Sequence, residues 1–207
     1  MRKSFKKVAL ILAAIVVSAS GTVFAKPAMY GKLTAGYDAR WGTFGVKGYG
    51  DDTGDLVTFR NFMVTPTFGM IFAPESDNGF MRGFGMELGL GLGIGRGNLV
   101  LGFLYDDDGS ASDFALVPRF DLVYHLLTKG RHFGEQKFVM HFMLGFEIPV
   151  FFPLEHKDYW KPAAFFDVNL LGVGFDIKLG KKLDLVADMY LSLLFAFDFN
   201  VGIVYRF

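Results

Sequence analysis

The segment FAFDFNVGIVYRF, residues 195–207, decides how the chain is read. Its odd positions are Phe195, Phe197, Phe199, Val201, Ile203, Tyr205 and Phe207; its even positions are Ala196, Asp198, Asn200, Gly202, Val204 and Arg206. One lane is wholly apolar and rich in aromatics, and the other is mostly small or polar. A period of two with unlike lanes is the signature of a β-strand whose faces meet different surroundings.

The same alternation recurs toward the N-terminus. Between Met29 and Trp41, the lane Met29, Leu33, Ala35, Tyr37 and Trp41 opposes Tyr30, Lys32, Thr34, Asp38 and Arg40. Phe62, Val64, Pro66, Phe68 and Met70 oppose Asn61, Met63, Thr65 and Thr67. Pro66 cannot donate a ladder hydrogen bond, which predicts a bulge there. Phe84, Met86, Leu88, Leu90, Leu92 and Ile94 alternate with Gly85, Glu87, Gly89, Gly91, Gly93 and Gly95. Beyond Arg96-Gly97 the apolar lane changes parity to Leu99 and Leu101, which predicts a two-residue hairpin or a one-residue bulge. Phe114, Leu116, Pro118, Phe120, Leu122 and Tyr124 then oppose Arg119, Asp121 and His125; Phe138, Met140, Phe142, Leu144, Phe146 and Ile148 oppose His141, Gly145 and Glu147. Alternation from Phe165 to Leu179 slips phase near Leu170-Leu171, and Gly180-Lys181-Lys182 makes a tight turn. Leu183, Leu185, Ala187 and Met189 oppose Asp184, Asp188 and Tyr190. Turn-forming stretches at 42–55, 74–79, 106–113, around Lys129-Gly130 and at 153–162 punctuate the pattern.

Strand number depends on two places. Residues 183–207 keep one phase without turn chemistry near 193–195, and a three-residue loop at Leu193-Leu194-Phe195 would preserve it. Eight strands follow if that loop forms and Arg96-Gly97 is a bulge, or if Arg96-Gly97 turns and the last segment is one strand. Ten follow if both turn and residues 44–50 add a short strand. Closed membrane barrels of this kind use even numbers. The expected fold is therefore all-β, an antiparallel up-and-down barrel of eight strands, with ten as the alternative.

The N-terminus reads as a secretory leader. Arg2, Lys3, Lys6 and Lys7 precede the apolar run Val8–Val17, small residues and Val23-Phe24-Ala25, which predicts cleavage after Ala25. The run is shorter than the roughly 20 residues of a spanning helix. Residues 1–25 are the expected leader and 26–207 the barrel domain. Loss of four basic and no acidic residues from a balance of 21 and 21 leaves a mature net charge of −4, which offers nothing to a nucleic acid. There is no cysteine, hence no disulfide framework and no lipid-anchoring cysteine.

Composition fits the alternation. The chain is 52% hydrophobic with 25 Phe and 26 Gly. A soluble domain this rich in Phe needs a very large core, whereas a barrel that turns its aromatics to lipid needs none. Apolar-in would instead make a soluble, lipocalin-like binding barrel. Large apolar side chains crowd an eight-stranded interior, and every mid-strand charge above falls on the opposite lane. An arginine facing mid-membrane lipid costs roughly 2–4 kcal/mol, so apolar-out is the consistent assignment.

The C-terminal strand resembles the last strand of bacterial outer-membrane β-barrels, with its terminal aromatic and alternating apolar residues. As architecture, the chain resembles the small barrels of the OmpA, OmpX and OmpW type. The resemblance implies that Phe199, Val201, Ile203, Tyr205 and Phe207 form an insertion signal read by the barrel-assembly machinery. It further implies residence in the outer membrane with lipid as the surrounding partner; a monomer is expected.

The inward lane carries Lys32, Asp38, Arg40, Glu87, Arg119, Asp121, His141, Glu147, Asp184, Asp188, Asp198 and Arg206. Buried charges must be paired and hydrogen-bonded, so a charge-filled lumen is expected. A non-enzymatic structural role, or one mediated by loops, follows; the alternative is a narrow passive channel, with the inward glycines opening one wall. Ser76, Ser110, Ser112 and Ser192 have no evident histidine partner, and no catalytic residue is assigned. Asp106-Asp107-Asp108 lacks the spacing of a calcium loop, so neither metal nor cofactor is assigned. Tyr37, Trp41, Tyr105, Tyr159 and Trp160 are expected in aromatic girdles at the lipid boundary.

Overall fold

Eight staves close on themselves in the computed structural model of the protein, which describes residues 27–43, 56–99, 110–128, 131–155, 163–164, 166–193 and 196–207. The segments are β1 (Ala28–Thr43), β2 (Leu56–Ile71), β3 (Phe84–Leu99), β4 (Ser110–His125), β5 (Phe138–Glu147), β6 (Val150–Pro153), β7 (Ala163–Ala164), β8 (Asp167–Lys178), β9 (Leu183–Ser192) and β10 (Phe197–Arg206). A short helix α1 (Gly79–Gly83), capped by the Asn78 side chain, precedes β3. Each strand pairs antiparallel with its neighbour, and β10 returns to β1 with Tyr30 opposite Arg206 and Ala39 opposite Phe197. Among the described residues the ring of staves closes from β10 back to β1, which is what a lipid environment demands of β-structure.

Two staves are interrupted without changing register. Arg119 faces Glu147 in β5 and Leu116 faces Val150 in β6, the same alignment on both sides of a gap at Ile148-Pro149. Pro118 lies opposite that gap, and neither proline can donate. Ile148 N–H still donates to Pro118 O at 3.0 Å. Likewise β7 pairs with β6 just before β8 begins. The eight staves are thus β1 to β4, β5 with β6, β7 with β8, β9 and β10.

The phase slip at Leu170-Leu171 is a bulge: the β8–β9 register shifts between Asn169 and Leu171, and both leucines face outward. Ser192 N–H donates to Ala196 O, closing the loop expected at 193–195; Leu194 and Phe195 themselves lie outside the described residues. Two expectations fail. Register runs unbroken through Arg96 and Gly97 on both sides of β3, with no hairpin and no bulge. Arg96 simply points outward near the end of the strand, where a charge is tolerated, and Leu101 lies outside the described residues. Nor is there a bulge at Pro66. The β2–β3 alignment is the same at Val64–Leu92 and Thr67–Gly89, so the proline interrupts the ladder without inserting a residue. The cleavage site at Ala25, the turn at Lys129-Gly130, the aspartates 106–108, Tyr105, Tyr159 and Trp160 also lie outside the described residues.

The apolar lane is the outer face. Leu33, Phe62, Phe68, Leu88, Leu90, Leu92, Leu144, Phe199, Val201 and Ile203 are all exposed. The outward lane of β3 from Phe84 to Ile94 carries no charge. Ten residue steps of about 3.3 Å at a tilt near 40° span about 25 Å, the height of an outer-membrane barrel's apolar band. Beyond that belt stand Arg60 and Arg96, direct register partners and both exposed. At the rim where β1 starts and β10 ends, Phe80 stacks on Tyr124 and Phe84 with centroids 5.1 and 5.4 Å apart, a girdle anchored by α1.

Candidate functional site in the barrel lumen

The inward lane builds the lumen in layers. At the terminal rim Tyr30, Ile71, Val186 and Val204 form an apolar floor against which Ala28 and Phe133 pack. Phe133 comes from the β4–β5 turn, which two hydrogen bonds tie across the opening and a third braces from within. His132 Nδ1 donates to Pro74 O (3.0 Å), His132 N–H donates to the Glu135 carboxylate (2.7 Å), and Lys178 Nζ donates to Gly134 O (2.7 Å). The His132 N–H holds the Glu135 carboxyl below its usual range. Gly134 adopts φ 85°, a left-handed conformation suited to glycine.

Above this floor lies a layer of paired charges. Lys32 Nζ donates to Glu87 (2.5 Å) and Asp188 (3.0 Å), and Tyr30 Oη donates to Glu87 (2.7 Å). His141 sits between Asp176, 3.1 Å from Nδ1, and Asp188, 2.9 Å from Nε2. The next layer is mixed: Tyr190 packs with Val123 and Met143 and carries the Arg119 guanidinium 4.1 Å above its ring, a cation–π contact. Arg119 reaches on to Glu147 (2.9 Å) and Asp198. Arg40, 1% exposed, bonds Asp38 (2.5 Å) and Glu147, with Asp167 and Asp198 each 3.8 Å away. Toward the far rim Phe59 stacks on Phe151 with centroids 4.0 Å apart.

The predicted lumen residues divide among these layers. Lys32, Glu87, Asp188 and His141 share one; Asp38, Arg40, Arg119, Glu147 and Asp198 share another. Asp121 is buried beside Asn169 Nδ2 at 3.5 Å. Asp184 and Arg206 pair at the terminal rim, where Arg206 also donates to Lys181 O (3.1 Å). Phe199, Val201, Ile203, Tyr205 and Phe207 are all exposed on the outer face. Asp113, His125, Asp167 and Asp176 also face inward. Asp167 and Asp176 follow the Pro153–Pro162 loop and flank the phase slip, where lane parity cannot be carried from one strand to the next.

The inward glycines do not open a wall. A Cβ on Gly93 would overlap Met63 Sδ, one on Gly91 would meet Met63 Cε at 2.6 Å, and one on Gly95 would overlap the Asn61 amide. Large residues of β2 lean over β3 and fill that space. Two interior cavities, one beside Asp38, Arg119 and Asp198 and one beside Lys32, Glu87 and Tyr190, are each about 10 Å³. That is room for about one water apiece.

No family model and no curated protein sequence matches the chain. Solved structures do. The outer membrane protein OprG from Pseudomonas aeruginosa superposes with a TM-score of 0.57 at 14% identity, covering 87% of this chain and 96% of that one. Neisserial surface protein A gives 0.54 at 9% identity, covering 86% and 97%. The N-terminal β-barrel domain of P. aeruginosa OprF gives 0.51 at 12% identity, again covering 86% and 97%. At such identities the likeness is one of fold, and the fold is that of the small, eight-stranded outer-membrane β-barrels.

Proposed function

We propose that this protein is an integral outer-membrane barrel with a structural, non-catalytic role, its lumen a charge-paired plug rather than a path. The observation that carries this is the interior itself. Arg40 and Arg119 join Asp38, Glu147 and Asp198 across the lumen, Phe133 covers one end, and the two small cavities beside these charges among the described residues admit about one water each. A protein so filled acts through what it presents outside the belt and through its contact with lipid. Residues 1–25 serve as the export leader, and the outward residues from Phe199 to Phe207 as the signal for the assembly machinery. The barrel functions as a monomer.

Planar-bilayer recording tests the plug. The wild-type barrel is expected to be electrically silent, and the double variant Arg119→Ala with Arg40→Ala to show small openings. A steady wild-type conductance that changes on substituting Asp188 or Arg119 would establish the channel instead.

A further inference from the structure

Beneath Phe133 the layer of paired charges contains a cluster of metal-binding side chains. His125 of β4 and His141 of β5 are direct register partners, and Asp176 of β8 reaches the same point from the adjoining stave. One ligand atom from each lies within 4.8 Å of the other two. We infer that His125, His141 and Asp176 form a binding site for a borderline divalent transition ion of the Zn2+ class.

Geometry supports the assignment. Tetrahedral Zn2+ with ligands about 2.0–2.1 Å away places those ligands about 3.3–3.4 Å from one another. Asp176 Oδ2 stands 3.1 Å from His141 Nδ1 and 3.7 Å from His125 Nε2, on either side of that value. The second of these is too long for a hydrogen bond, so His125 is oriented toward the carboxylate without being bonded to it.

The surroundings resemble those of a built site. Asp188 accepts from His141 Nε2 at 2.9 Å, which leaves Nδ1 to face the centre, the carboxylate–imidazole relation that orients metal-binding histidines. The His141 ring occupies the place where a side chain on Gly174 would stand, so glycine there is what admits the imidazole. Charge also fits: Asp176, Asp188 and Glu87 share only Lys32 and His141 as bonded partners of opposite character, so the layer is rich in carboxylates and favours a cation. Two imidazoles and one carboxylate are ligands that Zn2+ accepts. Because Phe133 lies 4.9 Å from the His125 ring and caps the layer, the bound ion pins three adjacent staves rather than meeting substrate.

Refolding the full chain in detergent with Zn2+, followed by desalting and metal counting, tests the site, and Co2+ in its place reports coordination through its visible bands. The folded wild type is expected to retain one ion per barrel and, with a water as fourth ligand, to give the intense absorption of four-coordinate Co2+. His125→Gln and Asp176→Asn should each weaken binding at least tenfold, and Asp188→Asn, which acts through His141, roughly 10- to 100-fold. His132→Gln, on the turn, should bind as wild type. Heat-dependent gel mobility shows independently that each variant has folded. A folded wild type that retains no ion, or equal retention in His125→Gln and Asp176→Asn, would overturn the assignment.

Discussion

Arg40→Met strikes the centre of the buried charge network. The guanidinium is 1% exposed, holds Asp38 through both Nε and a terminal nitrogen, and bonds Glu147. Methionine fills comparable space but leaves Asp38 buried with no cation bonded to it, while Glu147 and Asp198 keep Arg119. Removing one partner of a buried pair typically destabilises by about 3–5 kcal/mol, because the stranded charge has lost its hydration and its counter-ion. That is a large part of the roughly 5–15 kcal/mol that holds a domain together. Adding Asp38→Leu removes the stranded carboxylate, and the two changes should couple by about 1–3 kcal/mol. Reversible urea unfolding in lipid vesicles, followed by the fluorescence of Trp41 and Trp160, measures all three variants. A loss below about 1 kcal/mol for Arg40→Met, or strict additivity in the double variant, would refute the buried network.

Further outcomes follow from the two faces and the rims. Leu88→Arg, in the middle of the charge-free belt, should cost roughly 2–4 kcal/mol in vesicle unfolding, whereas Arg60→Leu beyond the belt should cost under about 1 kcal/mol; equal effects would mean that the belt is misplaced. Gly93→Val should destabilise by about 1–3 kcal/mol through overlap with Met63, and Met63→Ala should relieve part of that loss in the same assay. Deletion of Phe207 should slow assembly, seen as unfolded protein accumulating in pulse-chase gel shifts; normal levels of folded barrel would count against the insertion signal. Glu135 is held below its usual range when folded, so its contribution to the β4–β5 turn is present above the unfolded carboxyl value and lost as pH falls through the folded one. Amide exchange in residues 131–137, corrected for intrinsic rate, should therefore be faster at pH 3 than at pH 6.

Alternation alone separates Leu88 from Glu87 and Ile203 from Val204, because a two-residue period and two immiscible surroundings leave one consistent assignment. The bulge at Leu170-Leu171 is legible for the same reason: two successive outward leucines cannot belong to one regular strand. Arg96-Gly97 misleads because parity loses its meaning at the rim, where outward residues leave the hydrocarbon. Pro66 misleads because losing a hydrogen-bond donor need not insert a residue. The β3 glycines are ambiguous in isolation, since whether they make space or surrender it depends on Met63 and Asn61 across the ladder. Phe133 comes from a turn without period, and its place over the lumen follows from tertiary contacts with Tyr30 and His125. Asp176 lies beyond the bulge, so its meeting with His125 and His141 appears only once the register of β8 is known.

Whether the apolar lane faces lipid is decided by cell fractionation combined with heated and unheated gel mobility. A lipid-facing barrel is recovered in the outer-membrane fraction, is extracted only by detergent, and has an unheated form of distinct mobility that converts to the unfolded position on boiling. Recovery as a soluble periplasmic protein without detergent would contradict it, and would require the apolar lane to face inward.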